Sequence, residues 1–303
     1  MQSALNAPHL ISEEAAFAYV EAKLWPNGAT CPHCGVVGEA SKAKGKTTRT
    51  GLWNCRACRK PFTVRIGTIF ESSHVPLHVW LQAIYLICSS KKGISTRQMQ
   101  RTLGGSMKTA WFLMHRIRAA MDEGFGGFGG PVGGSGKTIE ADEMYLGKSP
   151  KSRRYAGEKA RQVLSLVERG GNVRSVFVDH RSVRSALWEH LDRDSRLVTD
   201  GHVTYRGFMP HGQHESVDHS KAEYVRDDVH TNTLEGFFSV FKRGLVGTYQ
   251  HMDSKHLGRY LAEFDFRQNT RAKLGIDDAE RADIALQGIV GKRLTYETTR
   301  GEA

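Results

Sequence analysis

Two C-x-x-C pairs constrain this chain more than any other feature. Cys31 and Cys34 are separated by twenty residues from Cys55 and Cys58. Two such knuckles with a strand-like insert have the spacing of a zinc ribbon. Four thiolates surround one Zn2+ tetrahedrally, and the closed shell leaves no open position for chemistry. The expected role of that zinc is to hold a small fold together. His33 lies inside the first knuckle and, with four cysteines at hand, reads as a bystander. The fifth cysteine, Cys88, ends the most apolar run, Val75 to Cys88. That run includes His78 and Gln82 and is too short to cross a bilayer, so it reads as a buried helix. Cysteines used this way are not a disulfide scaffold; they predict a reducing cytoplasm, with no secretory signal and no membrane.

Charge sharpens the picture. Lys42, Lys44, Lys46, Arg49, Arg56, Arg59, Lys60 and Arg65 surround the ribbon. The chain of 303 residues carries a net charge of +11, and residues 1–130 hold 16 basic against 7 acidic side chains. The rest hold 27 against 25. A basic first half joined to a near-neutral second half suggests a polyanion-binding module attached to something else. The plain alternative is a soluble protein that happens to be basic.

Along the first half, Ser12 is placed to cap a helix through Leu24, with Glu13 and Glu14 in its first turn. Ser95 caps a short helix carrying Met99 and Leu103, which Gly104-Gly105-Ser106 breaks. A second helix follows with Ala110, Met114, Ile117 and Met121 on one stripe. Helix, glycine turn, helix is the outline of a helix-turn-helix, and equally of a helical hairpin in a core. Lys108, Thr109, His115, Arg116 and Arg118 lie off the stripe. Of these, Lys108, Arg116 and Arg118 are the candidate DNA contacts. Gly124 to Gly136 has eight glycines in thirteen residues, a flexible linker and the clearest domain boundary.

Past that point the pattern turns to strands: Thr138–Gly147, a hairpin Gln162–Val167 and Val173–Val178 around Gly170-Gly171-Asn172, then helix, strand and strand. The stretch His230 to Lys242 organises this half. Asn232, Glu235, Ser239 and Lys242 fall on one helical face, and Leu234, Phe237, Phe238 and Phe241 on the other. Taken alone, this is a core helix with a solvated polar face. Strand, hairpin, helix, strand, strand, helix is also the order of a ribonuclease-H-like α/β fold. In that fold Asp142, Asp200 and Glu235 come from three elements to one sheet edge. Each carboxylate alone is an ordinary hydrogen-bond acceptor. Together they suit two hard divalent cations, Mg2+ or Mn2+, and phosphodiester chemistry. Glu140 and Glu143 are expected to point to the face opposite Asp142.

The stretches IEADEMYLGK, LVTDGHVTY and HTNTLEGFFSVFKRGLVGTYQH, with SKHLGRYLAEFDFRQNTR after them, resemble a bacterial insertion-sequence transposase of the DDE class. The group it resembles carries an N-terminal zinc ribbon and an ISXO-type catalytic domain. CPHC and CRAC resemble the group's ribbon, and ISTRQMQRTLGGSMKTAWFLMHRIR its helix-turn-helix. The resemblance implies Asp142, Asp200 and Glu235 as the catalytic, metal-binding triad and Lys242 as a DNA contact. Related transposases carry Asn in place of the third acid, so Asn232, one turn from Glu235, is a neighbour or substitute ligand. The expected order is an N-terminal helix (1–29), zinc ribbon (30–68), helix-turn-helix region (69–123), linker (124–136), ribonuclease-H-like catalytic domain (137–275) and C-terminal tail (276–303). The expected activity is binding of double-stranded DNA at element ends, cleavage and strand transfer, by a homo-oligomer on DNA. Two rivals are a DNA-binding regulator without catalysis and a structure-specific nuclease on the same fold.

Overall fold

The structure, a computed structural model, describes residues 3–122, 130–147, 161–178, 182–210, 212–218, 221–292 and 294. Contacts within the chain divide it into two units, Met1–Gly126 with Ala272–Ala303, and Gly127–Arg271. Among the described residues no helix is long and apolar enough to cross a membrane.

The first unit opens on a single turn of helix, α1 (Pro8–Ile11), and on α2 (Glu13–Leu24). Ser12 caps α2, its Oγ accepting the Ala15 N–H at 3.3 Å. Three short antiparallel strands follow, β1 (Ala40–Lys42), β2 (Trp53–Cys55) and β3 (Pro61–Phe62). Their core is aromatic: Trp25 meets Trp53 and Phe62 edge-on. Glu21 of α2 is buried and accepts from Trp53 Nε1 at 3.0 Å and Lys42 Nζ at 2.9 Å, tying the helix to the strands. The apolar run forms α3 (Leu77–Ser89), starting behind Pro76. Then come α4 (Thr96–Leu103), capped by Ser95, and α5 (Met107–Ala120), capped by Ser106. Gly104 and Gly105 between them have φ of 78° and 80°, conformations that side chains oppose.

The second unit is mixed α/β. It contains β4 (Thr138–Leu146), β5 (Arg161–Glu168), β6 (Val173–Val178), α6 (Val183–His190), β7 (Arg196–Asp200), β8 (His214–Val217), α7 (Asn232–Gly244) and α8 (Ser254–Asn269). The five strands form one sheet in the order β6-β5-β4-β7-β8. β4, β5 and β6 pair antiparallel, and β7 and β8 run parallel to β4. Side chains alternate across β4 as the strand period requires. Ile139 and Ala141 join a core with Leu164, Leu166, Leu187 and Tyr205. Met144 and Leu146 join another with Val163, Phe237, Phe241, Leu261 and Phe264. α6 therefore covers one face and α7 and α8 the other. α8 also takes up the free side of the edge strand β6. Asp265 accepts the Ser175 N–H at 2.5 Å, and Asn269 both accepts from Val173 N–H at 2.6 Å and donates to its carbonyl at 2.9 Å.

Two stretches differ from expectation. Of the glycine-rich segment, residues 123–129 lie outside the described residues, but the part from 130 on is packed. Val132 is buried, its N–H donates to His190 O at 2.7 Å, and its carbonyl accepts from Asp192 N–H at 2.9 Å. A Cβ at Gly133, whose φ is 116°, would lie 2.0 Å from Ser195 Oγ. Glycine here serves close approach as well as freedom. The second stretch is the C-terminal segment, expected as a weakly patterned helix from Asp277; the helix is there as expected, and what the sequence did not show is its packing. It forms α9 (Asp278–Gln287), which packs on α2, α3 and α5 of the first unit. Ile69 N–H donates to Ile289 O at 3.1 Å, and Asp283 receives Lys23 Nζ at 2.5 Å and the Tyr19 hydroxyl. Between β4 and β5 the sequence reads as a basic loop, Lys148 to Arg161, of which residues 148–160 lie outside the described residues.

Candidate active site

The two faces of α7 follow the periodicity of its sequence. Leu234, Phe237, Phe238 and Phe241 are buried, and Asn232, Glu235, Ser239 and Lys242 are exposed. The apolar face packs on β4 and β5, which carries Glu235 to the sheet on the side of Met144 and Leu146.

Register brings the two aspartates together. Parallel pairing of β4 with β7 runs from Thr138 opposite Arg196 to Ala141 opposite Thr199. One residue further along both strands, Asp142 stands abreast of Asp200. Neighbouring strands are ~4.8 Å apart and paired residues share a face, so the two carboxylates repel each other. Asp142 registers the crowding. Burial, then the charge of Asp200, and after the neighbouring Glu143 that of Glu235, push its carboxyl up to about 7, against the Glu143 N–H it accepts at 2.7 Å. Asp200 and Glu235 thus both bear on Asp142. The three acids are held more openly than the cysteines: among the described residues only Cys31, Cys34, Cys55 and Cys58 form a group whose ligand atoms lie within 4.8 Å of one another.

The expectation for the flanking glutamates is right for Glu143 and wrong for Glu140. Glu143 turns to the α6 face, toward Tyr205. Burial raises its carboxyl; Tyr205 acts against that and Asp200 with it. Glu143 Oε1 and the Tyr205 hydroxyl are both buried without a partner, so the contact between them does not reach hydrogen-bond geometry. Glu140 is two residues from Asp142 and must share its face. It is fully buried under the start of α7. Its Oε2 accepts the Leu234 N–H at 3.0 Å, and its Oε1 accepts from the Thr233 hydroxyl at 2.9 Å and Arg169 Nε at 2.8 Å. The strand period was the signal that could have found it. Tyr145 also went unremarked in the sequence. Its ring is exposed and its hydroxyl accepts from Gln162 Nε2 at 2.9 Å. Partial burial, then the charges of Glu143, Asp142 and Asp200, raise its pKa, and in β4 it shares the face of Glu143.

The four ribbon cysteines fit zinc by their spacing in space. All are free thiols, and Cys31 Sγ to Cys58 Sγ and Cys34 Sγ to Cys55 Sγ are each 3.7 Å. Four sulfurs ~2.3 Å from a tetrahedral zinc lie about 3.8 Å apart. His33 instead faces the Pro61 carbonyl.

The candidate DNA contacts of α5 divide. Lys108 lies in the exposed first turn, and Arg97 and Arg101 of α4 are exposed as well. Arg116 and Arg118 are 4% and 1% exposed, which corrects their assignment as solvent-facing contacts. Arg116 donates to the carbonyls of Ile69 and Glu71 at 2.7 Å and of Leu294 at 3.2 Å. Its burial owes part of its cover to the C-terminal segment, which is distant in sequence.

Comparison with known proteins adds to this geometry. Residues 133–269 match the ISXO2-like transposase domain and residues 11–61 the transposase zinc-ribbon domain. The chain is 27% identical over 283 residues to an uncharacterized protein in transposable element ISH50 of Halobacterium salinarum, covering 88% of this chain and 94% of the relative. No solved structure matches it.

Proposed function

Since this chain belongs to the transposase family of insertion sequences, we propose that it binds the terminal inverted repeats of its element and cuts and joins DNA there. The observation that carries this reading is the convergence of Asp142, Asp200 and Glu235 from β4, β7 and α7 on one face of the sheet. The strand order, antiparallel across β4, β5 and β6 and parallel across β4, β7 and β8, supports a ribonuclease-H-like fold for this unit.

Three oxygen donors that repel one another suit hard divalent cations. Asp142, Asp200 and Glu235 would hold two ions, magnesium or manganese, which when bound offset charge on the entering and leaving oxygens. Asn232 begins α7 one turn before Glu235 on the same exposed face and is the neighbour that could share in ligation. In the first step water adds to phosphorus at the element end, the 3′-oxygen leaves, and it takes up a proton as a free hydroxyl. In the second that hydroxyl loses its proton and attacks a target phosphodiester, forming one phosphorus–oxygen bond and displacing another 3′-oxygen. Lys242, exposed two turns along α7, lies on the side from which DNA must approach Glu235. Lys108, with Arg97 and Arg101, offers cations at the exposed start of a recognition helix. The ribbon's lysines and arginines add phosphate contacts. Two ends must be held at once, which calls for a homo-oligomer on DNA.

The test is magnesium- or manganese-dependent cleavage and joining of DNA that flanks the protein's own gene. Wild type is expected to cut and join it. Glu235→Gln is expected to lose cutting and keep binding. If Asn232→Ala abolishes cutting and Glu235→Gln does not, the third ligand is Asn232. If wild type binds the ends and cuts them with neither metal, the chain acts as a regulator. Cut ends that are never joined would make it a nuclease.

A further inference from the structure

We infer that Glu140 is a positioning residue that sets where Glu235 stands relative to Asp142. The inference rests on the reading of Asp142, Asp200 and Glu235 as one metal-binding site, and adds a residue that touches neither ion nor DNA.

The problem it addresses is local. Glu235 is an exposed side chain in the first turn of a helix, where ends fray. A metal–ligand distance is held to about 0.2 Å. Something must fix that turn, and the usual device is missing. Thr231 occupies the cap position of α7 but makes no side-chain capping bond, and its Oγ1 is buried without a partner.

The cap comes instead from another element. Glu140 lies in β4 on the same face as Asp142, and its carboxylate receives the Leu234 N–H and the Thr233 hydroxyl, the groups just before Glu235. A carboxylate at this end of a helix also suits the helix dipole. Arg169, in the turn after β5, completes the clamp. Its Nε pairs with Glu140, and its two terminal nitrogens donate to the carbonyls of Asp228 at 2.7 Å and His230 at 2.8 Å. His230 Nδ1 stands 3.5 Å from the same carboxylate. One side chain and its partner therefore hold residues 228–234 against the strand that carries Asp142.

Stability alone is a poor reason to bury this carboxylate. A buried ion pair commonly gains little over an apolar pair of the same shape, because desolvation consumes the attraction. What it supplies here is a single geometry: Glu140 and Asp142 are two residues apart on one rigid strand. Glu235 follows Leu234 directly on the helix that Glu140 caps.

The experiment is a mutant cycle on the full-length protein, read as Mn2+ affinity by electron paramagnetic resonance titration. Glu235→Ala is expected to weaken binding of one ion, and Glu140→Ala to weaken it by a comparable factor, on the order of tenfold. The double variant Glu140→Ala/Glu235→Ala is expected to bind no more weakly than Glu235→Ala, because Glu140 acts through Glu235. Glu140→Gln keeps an oxygen for the Leu234 N–H and should recover much of the loss. If Glu140→Ala does not fold, Thr233→Val runs the same cycle, with an expected loss on the order of threefold. Losses that multiply in the double variant would make Glu140 merely structural and overturn the inference. So would unchanged Mn2+ affinity in Glu140→Ala while Glu235→Ala loses it, and the metal-site reading would survive. Unchanged affinity in Glu235→Ala would instead overturn that reading and the inference with it.

Discussion

Burial and the charge of Asp200 raise the Asp142 carboxyl to about 7, which has a consequence for stability. An unfolded aspartate ionises near ~3.9. A folded pKa above that value means the neutral form favours folding, so the contribution is complete below ~pH 4 and is lost as pH rises through about 7. In magnesium-free buffer the second unit should therefore weaken between these limits. Asp142→Asn should melt higher than wild type at about pH 8, by roughly 1–3 kcal/mol in stability after discounting for solvent access, and match it at about pH 4. Scanning calorimetry at the two pH values checks this; equal melting at the higher pH would show that the crowding carries no cost. A second contrast separates two cations of α5. Lys108→Ala should leave melting unchanged, weaken DNA binding and lower the salt slope of the binding constant by about 1. Arg116→Ala should leave three carbonyls without their donor and cost roughly 2–4 kcal/mol of stability, read by thermal unfolding. Direct loss of a phosphate contact is not expected from Arg116→Ala.

At the level of elements, most of the sheet unit was legible. The helix period separated the exposed Glu235 and Lys242 from the buried Phe237 and Phe241. The glycine turn after β5 marked the hairpin, and Ser12 and Ser95 marked helix starts that the structure keeps. Periodicity assigns faces but does not say how many of them are covered. α5 shows the limit: its apolar stripe was visible, but His115, Arg116 and Arg118 are buried beside it. Part of the cover arrives with the C-terminal segment, through contacts that no local pattern encodes. Glu140 was missed for a different reason. It was expected on the face opposite Asp142, whereas residues two apart on a strand share a face, and its partners Thr233 and Leu234 lie far along the chain. The α9 contact gives its own prediction. A Cβ at Gly288 would lie 2.0 Å from the Ala120 carbonyl oxygen, where backbone on both sides must shift. Gly288→Ala should destabilise the first unit by about 1–3 kcal/mol and speed hydrogen exchange at the end of α5, while a variant that leaves exchange there unchanged would mean α9 does not hold that helix.

Across the whole molecule, the proposed recognition and the proposed chemistry draw on different resources. The basic surplus lies in residues 1–130, and the acidic site lies beyond them. The ribbon that carries much of that surplus has strands of three, three and two residues. A sheet so small does not hold itself together in water. Trp25, Trp53 and Phe62 supply a small aromatic core, and the four sulfurs join the turn at Cys31–Cys34 to the turn at Cys55–Cys58. Most of the folding energy of the ribbon should then come from metal, as it does where a structural zinc site organises a minimal core. Cys58→Ser, or chelation of wild type, is expected to release about one zinc per chain. The same change should shift the fluorescence of Trp25 and Trp53 toward that of exposed indole and weaken end binding at least ~10-fold, through loss of the ordered lysines and arginines proposed to contact phosphates. Mn2+ titration of the same sample distinguishes local from general unfolding: an intact second unit keeps its affinity at Asp142, Asp200 and Glu235. Zinc release with unaltered DNA binding would move recognition away from the ribbon and onto α4 and α5.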